Sequence, residues 1–120
     1  MLEDTCCTLA PYFKIHEGQV EAWKAGCPDF VAKTREEGDG CRFYGFSFDG
    51  ETAHCREGYR DADAVLAHLD NVGELLKKAL AISDLTRLEV HGPASEIDKL
   101  REPLSGLNPQ FFTVEFGFRR

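Results

Sequence analysis

No apolar run in this sequence approaches the roughly 20 residues that a bilayer-spanning helix needs, so no membrane partner is expected. The first residues, Met1-Leu2-Glu3-Asp4, have neither the basic start nor the apolar stretch of a secretory leader, which points to a cytoplasmic protein. Basic side chains are scarce: 14 Lys and Arg stand against 21 Asp and Glu, for a formal charge of −7, and basic residues adjoin only in the pairs Lys77-Lys78 and Arg119-Arg120. Binding a polyanion relies on Lys and Arg to neutralise phosphates, so nucleic acid is excluded as a partner. No C-x-x-C or H-x-x-x-H spacing occurs, and Gly38, Gly40 and Gly45 do not stand between a strand and a helix start as a phosphate loop would. The five cysteines, Cys6, Cys7, Cys27, Cys41 and Cys55, are odd in number and fall mostly inside expected helix or strand, which reads as reduced thiols rather than a disulfide framework. Internal repeats, low-complexity tracts and long linkers are also missing, leaving one domain over residues 1–120.

What is present is 42% hydrophobic and 29% charged residues in 120, enough for a small core that would profit from association. Thr5 to Ile15 reads as a first strand with Cys7, Leu9, Pro11 and Phe13 on one face, Pro11 suggesting an edge position or a bulge. From Gly18 to Arg35, Val20, Trp23, Cys27, Phe30 and Val31 follow helical spacing, and Pro28 predicts a kink or a new turn. Gly38-Asp39-Gly40 ends that helix. A hairpin follows, Cys41 to Phe48 and Glu51 to Tyr59, turning at Asp49-Gly50, where glycine tolerates a positive φ. Asp61 offers an N-cap to the strongest helical pattern in the chain, through Val65, Leu66, Leu69, Val72, Leu76, Ala79 and Leu80. Leu85 to His91 reads as a fourth strand, Ser95 as the cap of a short helix, and Phe111 to Phe118 as a last strand.

The order β-α-β-β-α-β, with an added helix and a terminal strand, is the split βαβ pattern: an α+β, ferredoxin-like fold whose antiparallel sheet carries its helices on one face. The other face is expected to carry apolar residues as well, with Phe43 on one side of its strand and Tyr44, Phe46 and Phe48 on the other. That is more apolar surface than a one-sided monomeric sheet should expose, so a homodimer is expected.

Three stretches resemble a known family: Thr34-x-x-Glu37-x-x-Gly40-Cys41 leading into Tyr44, the strand end Glu57-x-Tyr59, and the helical Ala67-His68-Leu69. They are similar to the antibiotic-biosynthesis-monooxygenase-like, or small quinol-monooxygenase-like, proteins of the dimeric α/β-barrel superfamily. The resemblance implies a homodimer with sheets packed face to face and, in each protomer, a pocket between sheet and helices. It also implies chemistry without metal, flavin or haem, in which the anion of a small aromatic phenol or quinol reacts directly with O₂. The protein would then deprotonate and orient the substrate and exclude water. Haem-degrading relatives carry an Asn on the first strand and a Trp near the end of the third. This chain has no Asn there, places Tyr59 near the expected Trp and keeps its single Trp23 on the first helix, so haem degradation is not expected.

His68 is the first candidate for catalysis, since the helical wheel puts it on the shoulder of the apolar stripe beside Ala64 and Leu75, where an imidazole could accept a phenolic proton. Otherwise it is a rim histidine bonded locally. Tyr44 and Tyr59 could donate hydrogen bonds to a substrate oxygen, or simply pack in the sheet. Glu57 shares a face with Cys55 and Tyr59 and could act as a base or orient His68 if desolvated, though pairing with Arg42 is the commoner use of a strand carboxylate. Trp23, Phe46 and Leu75 are expected to line the substrate cavity. His54 and Arg56 alternate to the opposite face, and His16 and His91 stand alone, so no metal is expected. The alternative to an enzyme is a non-catalytic dimeric protein whose pocket holds a small hydrophobic ligand.

Overall fold

The computed structural model describes residues 4–120; residues 1–3, which bear on the leader argument, lie outside the described part. Five strands form one sheet in the order β2-β3-β1-β4-β5: β1 (Cys7–Ile15), β2 (Cys41–Asp49), β3 (Thr52–Tyr59), β4 (Ser83–Gly92) and β5 (Gln110–Thr113). The first four pair antiparallel, as a ferredoxin-like core requires. The short β5 joins β4 in parallel and makes the sheet mixed. Four helices accompany it: α1 (Val20–Arg35), α2 (Ala62–Asn71), α3 (Gly73–Leu80) and α4 (Ala94–Leu100).

Strict alternation in β1 buries Cys7, Leu9, Pro11, Phe13 and Ile15, leaves Thr8, Ala10 and Tyr12 half-buried and exposes Lys14. One end of this buried face meets Val65, Ile97 and Leu100 of α2 and α4; the other meets Trp23 of α1 and the half-buried Leu76 and Leu80 of α3. All four helices therefore lie on one face. The sheet is open, and its other face carries Phe43, the stacked Tyr12–His54 pair and the stacked His91–Phe112 pair.

Several expectations shift in detail. Pro11 is not at an edge: β1 sits between β3 and β4, and the proline's missing N–H is accommodated beside a register irregularity between Tyr12 and Phe13. Pro28 does not interrupt α1, which runs from Val20 to Arg35. The single helix expected through Leu80 is two, because Val72 leaves helical geometry (φ −97°, ψ 7°) and Gly73 starts the next. Ser95 lies inside α4, whose first residue follows Pro93. The last strand stops at Thr113, and beyond it Phe116 and Phe118 stand 92% and 80% exposed.

Candidate active site

The β2–β3 hairpin sets the site. Asp49 pairs with Thr52 around Gly50, which sits at φ +58°, and counting back along the ladder places Tyr44 opposite Glu57 and Phe46 opposite Cys55. All four side chains point to the helix-covered face and line one cavity. The chain then leaves β3 at Tyr59 and enters α2 through Asp61, whose carboxylate accepts from the Ala64 N–H at 2.9 Å. Two turns along, His68 comes down on the hairpin, its ring centroid 5.2 Å from that of Tyr44 and 5.0 Å from that of Tyr59.

His68 is 2% exposed and lies between two carboxyl groups. Its Nδ1 is 3.0 Å from Glu37 Oε2, and its Nε2 is 3.6 Å from Glu57 Oε1. Glu37 follows α1 and is itself held by Asn71 Nδ2, which donates to Oε2 at 2.7 Å and to the Lys33 carbonyl at 3.0 Å. A carboxylate only accepts, so Glu37 fixes the proton on Nδ1 and leaves Nε2 as the acceptor. Burial holds the imidazole below its ordinary pKa, opposed by the negative charge of Glu37. At neutral pH the ring is a neutral base backed by a carboxylate.

Glu57 is 5% exposed, and desolvation pushes its pKa up to about 7 against the pull of hydrogen bonds from Tyr59 and Cys55. The Tyr59 hydroxyl donates to Glu57 Oε1 at 2.6 Å. Burial and the neighbouring carboxyl raise Tyr59 further above the phenol range, and burial does the same to Tyr44, so both hydroxyls remain donors. The Arg42 pairing that would have made Glu57 structural does not form; among the described residues Arg42 has no ion-pair partner. A base at Nε2 and a carboxylic acid poised near neutrality thus face each other, an arrangement able to take and return a proton at one centre.

The surrounding walls are apolar, with Leu9, Phe13, Trp23, Phe30, Phe46 and Leu69 among them, and the enclosed space is about 50 Å³. A cavity that admits a benzene ring is about three times that size, so an aromatic substrate requires side chains to move. Trp23 and Phe46 take the lining places expected of them. Leu75 does not: beyond the break at Val72 the cavity is met by Leu76 and Ala79. Tyr59 is fully buried behind Glu57 rather than on the cavity surface. His54 stacks on Tyr12 across the sheet, remote from the site. Among the described residues no group of three His, Cys, Asp or Glu is arranged to hold a metal ion. The cysteines are free, and burial raises the thiols of Cys7 to about 12 and of Cys27 and Cys41 to about 11, away from nucleophilic use at neutral pH.

Asn71 is not singled out by the sequence, and Glu37 stands there only within the stretch Thr34-x-x-Glu37-x-x-Gly40-Cys41, with no role at the site assigned to it. Their signals are modest: Glu37 extends the buried stripe Trp23, Phe30 and Thr34 by one more turn, and Asn71 follows His68 at i+3.

Comparison with known proteins agrees with this architecture. No family model matches the chain, and no curated protein matches it in sequence. Among solved structures, MupZ from Pseudomonas fluorescens is 49% identical, with 98% of this chain and 96% of that one covered at a TM-score of 0.92. A candidate antibiotic biosynthesis monooxygenase from Nitrosomonas europaea shares the fold at 11% identity, covering 78% of this chain and 95% of its own at a TM-score of 0.68. A second such candidate, from Caulobacter crescentus CB15, shares it at 15% identity over 72% and 88% of the two chains, with a TM-score of 0.65. With near-complete overlap at that identity, the chain belongs to one family with MupZ, and it shares its fold with the monooxygenase candidates.

Proposed function

We propose that the protein is a cofactor-independent enzyme of monooxygenase type, acting on a small phenol or quinol with O₂. The observation that carries the reading is the buried series Glu37–His68–Glu57 at the wall of an apolar cavity. His68 Nε2 takes the phenolic proton, and Glu37 stabilises the imidazolium that results. The anion, held among apolar walls that exclude water, passes electrons to O₂. A C–O bond forms to O₂ and Glu57 protonates the outer oxygen; the carboxylate left then takes the hydrogen of that carbon as a proton, the O–O bond breaks to leave a quinone carbonyl, and the departing hydroxide takes the imidazolium proton and leaves as water. The reaction calls for no metal, flavin or haem. Support for a homodimer comes from Phe43, Phe116 and Phe118, large apolar side chains open to solvent in the single chain.

A second reading is favoured by the pairing itself. An acid and a base facing one cavity equally suit a redox-neutral step, an isomerisation, addition or hydrolysis, in which one oxygen is protonated as another is deprotonated. One assay separates these readings: O₂ uptake and product mass across a panel of hydroquinones without added metal or flavin, for the native chain and His68→Ala. Oxygen consumption lost in His68→Ala supports the monooxygenase. Substrate conversion without oxygen uptake selects the redox-neutral reading. Binding with no conversion leaves a protein that only holds a small hydrophobic ligand.

A further inference from the structure

The last turn of α1 does not end as an unbroken helix would. Past Arg35 the Glu36 N–H donates to the Ala32 carbonyl at 3.2 Å, but the Glu37 N–H turns to that of Thr34 at 3.1 Å, so the Lys33 carbonyl loses the donor that a continued helix would have given it. Asn71, the last residue of α2, fills the gap. Its Nδ2 carries two hydrogens and gives one to the Lys33 carbonyl at 3.0 Å and the other to Glu37 Oε2 at 2.7 Å. A carbonyl and a carboxylate only accept, which settles the orientation of the amide. Oε2 is also the atom 3.0 Å from His68 Nδ1, so one carboxylate oxygen takes a bond from each of two residues one turn apart on α2.

The imidazole has a choice to make. A carboxyl group stands at either nitrogen, Glu37 Oε2 at 3.0 Å from Nδ1 and Glu57 Oε1 at 3.6 Å from Nε2, and the single proton of the neutral ring can serve only one of them. The Glu37 side chain is the more open of the two, 13% exposed against 6% for Glu57, and it lies beyond the end of α1, where water competes for it. Released towards solvent, it would leave Nδ1 without an acceptor and make a proton on Nε2, bonded to Glu57, the better-satisfied form. We propose that Asn71 is the positioning residue of this site: it ties the end of α1 and the Glu37 carboxylate to α2, aims that carboxylate at Nδ1, and so keeps Nε2 free of a proton and able to accept one. This rests on the base role given to His68 above, and it adds that the base is set by the joint between two helices.

The test reads the imidazole nitrogens directly, by long-range proton–nitrogen correlation spectra of the ligand-free protein at pH 7, where burial keeps the ring neutral; His68→Gln identifies its signals among the four histidines. The native ring should carry its proton on Nδ1. Asn71→Leu keeps the shape of the side chain without its donors, and Asn71→Asp replaces them with acceptors. In each, the ratio of the Nε2–H to the Nδ1–H form should rise about tenfold or more, the change expected when a hydrogen bond to a charged group is lost. A loss of stability alone would leave the tautomer of the folded ring unmoved. A second measurement leaves Asn71 in place: its side-chain amide hydrogens should exchange slowly with water in the native chain and faster in Glu37→Ala. No substrate is involved, so failure of the oxygen chemistry leaves these spectra unchanged, whereas failure of the clamp shows in them. A native ring with its proton on Nε2, a ratio unchanged in a folded Asn71 variant, or Asn71 amide hydrogens that exchange as fast as those of an unfolded chain would each overturn the proposal.

Discussion

Glu57→Gln isolates the energetic cost of the buried carboxyl. A carboxyl raised from 4.5 to about 7 binds its proton more tightly in the native than in the unfolded chain. Between those two values the native state holds more protons, so raising the pH through the window lowers stability. The full cost, reached above pH 7, is about 3 kcal/mol, and glutamine, which does not titrate, escapes it. The advantage of Glu57→Gln over the native chain should therefore grow by about 3 kcal/mol between pH 4 and pH 8, whatever constant difference the amide introduces. His68 contributes the opposite slope: its folded pKa is depressed, so its share of stability is lost as pH falls below 6.5. That term cancels between the two proteins only while Glu57 keeps its proton. Because Nε2 lies 3.6 Å from Glu57, an ionised carboxylate can be relieved by proton transfer onto the ring. Repeating the comparison in a His68→Gln background measures the unrelieved cost, which should be the larger. Urea denaturation across the pH range supplies the numbers. A Glu57→Gln difference that stays constant with pH in both backgrounds refutes the claim that Glu57 is held neutral by burial.

Two further outcomes follow from the same contacts. The Trp23 indole N–H donates to Ser83 Oγ at 3.0 Å inside the core, so Ser83→Ala strands that donor and should cost about 1–3 kcal/mol by the same denaturation assay; a cost near zero would show that the indole finds another partner. Light scattering at micromolar concentration should give about twice the 13.4 kDa of one chain, and Phe116→Ser/Phe118→Ser should move the balance towards monomer; a native chain that is monomeric ends the dimer reading.

The sheet was legible because its rules are local. Alternation in β1 and in the hairpin, and the Asp49-Gly50 turn, place Tyr44, Phe46, Cys55 and Glu57 on one face before any helix is docked. The errors lie where a local signal meets a tertiary constraint. Of the two positions that Pro11 suggests, the edge fails, since β1 is central, and the bulge holds, since the register shifts between Tyr12 and Phe13. The helix expected through Leu80 divides at Val72, although the apolar spacing runs on unbroken, because periodicity reports which residues turn inward and not whether the axis is continuous. The alternation of Phe112, Val114, Phe116 and Phe118 likewise predicts a strand, but β4 offers a parallel partner only as far as Gly92, and pairing ends at Thr113.

The site divides along the same line. His68 and Glu57 could be nominated from their elements alone, but what each does depends on groups that sequence distance hides. Glu37 stands 31 residues before His68, outside the helix whose stripe it prolongs, and only the docking of α1 beside α2 brings it to Nδ1. Without it the imidazole has no fixed tautomer, and Nε2 has no assured role as acceptor. The same docking decides the state of Glu57: had Arg42 reached it, the carboxyl would have been an ordinary cross-strand ion. With Arg42 lining an outer depression, Glu57 is left to Tyr59, Cys55 and apolar walls, and desolvation makes it an acid near neutral pH. The raised pKa of Glu57 and the unpaired state of Arg42 are thus two sides of one placement, and an Arg42 side chain brought to Glu57 would pull that pKa back down.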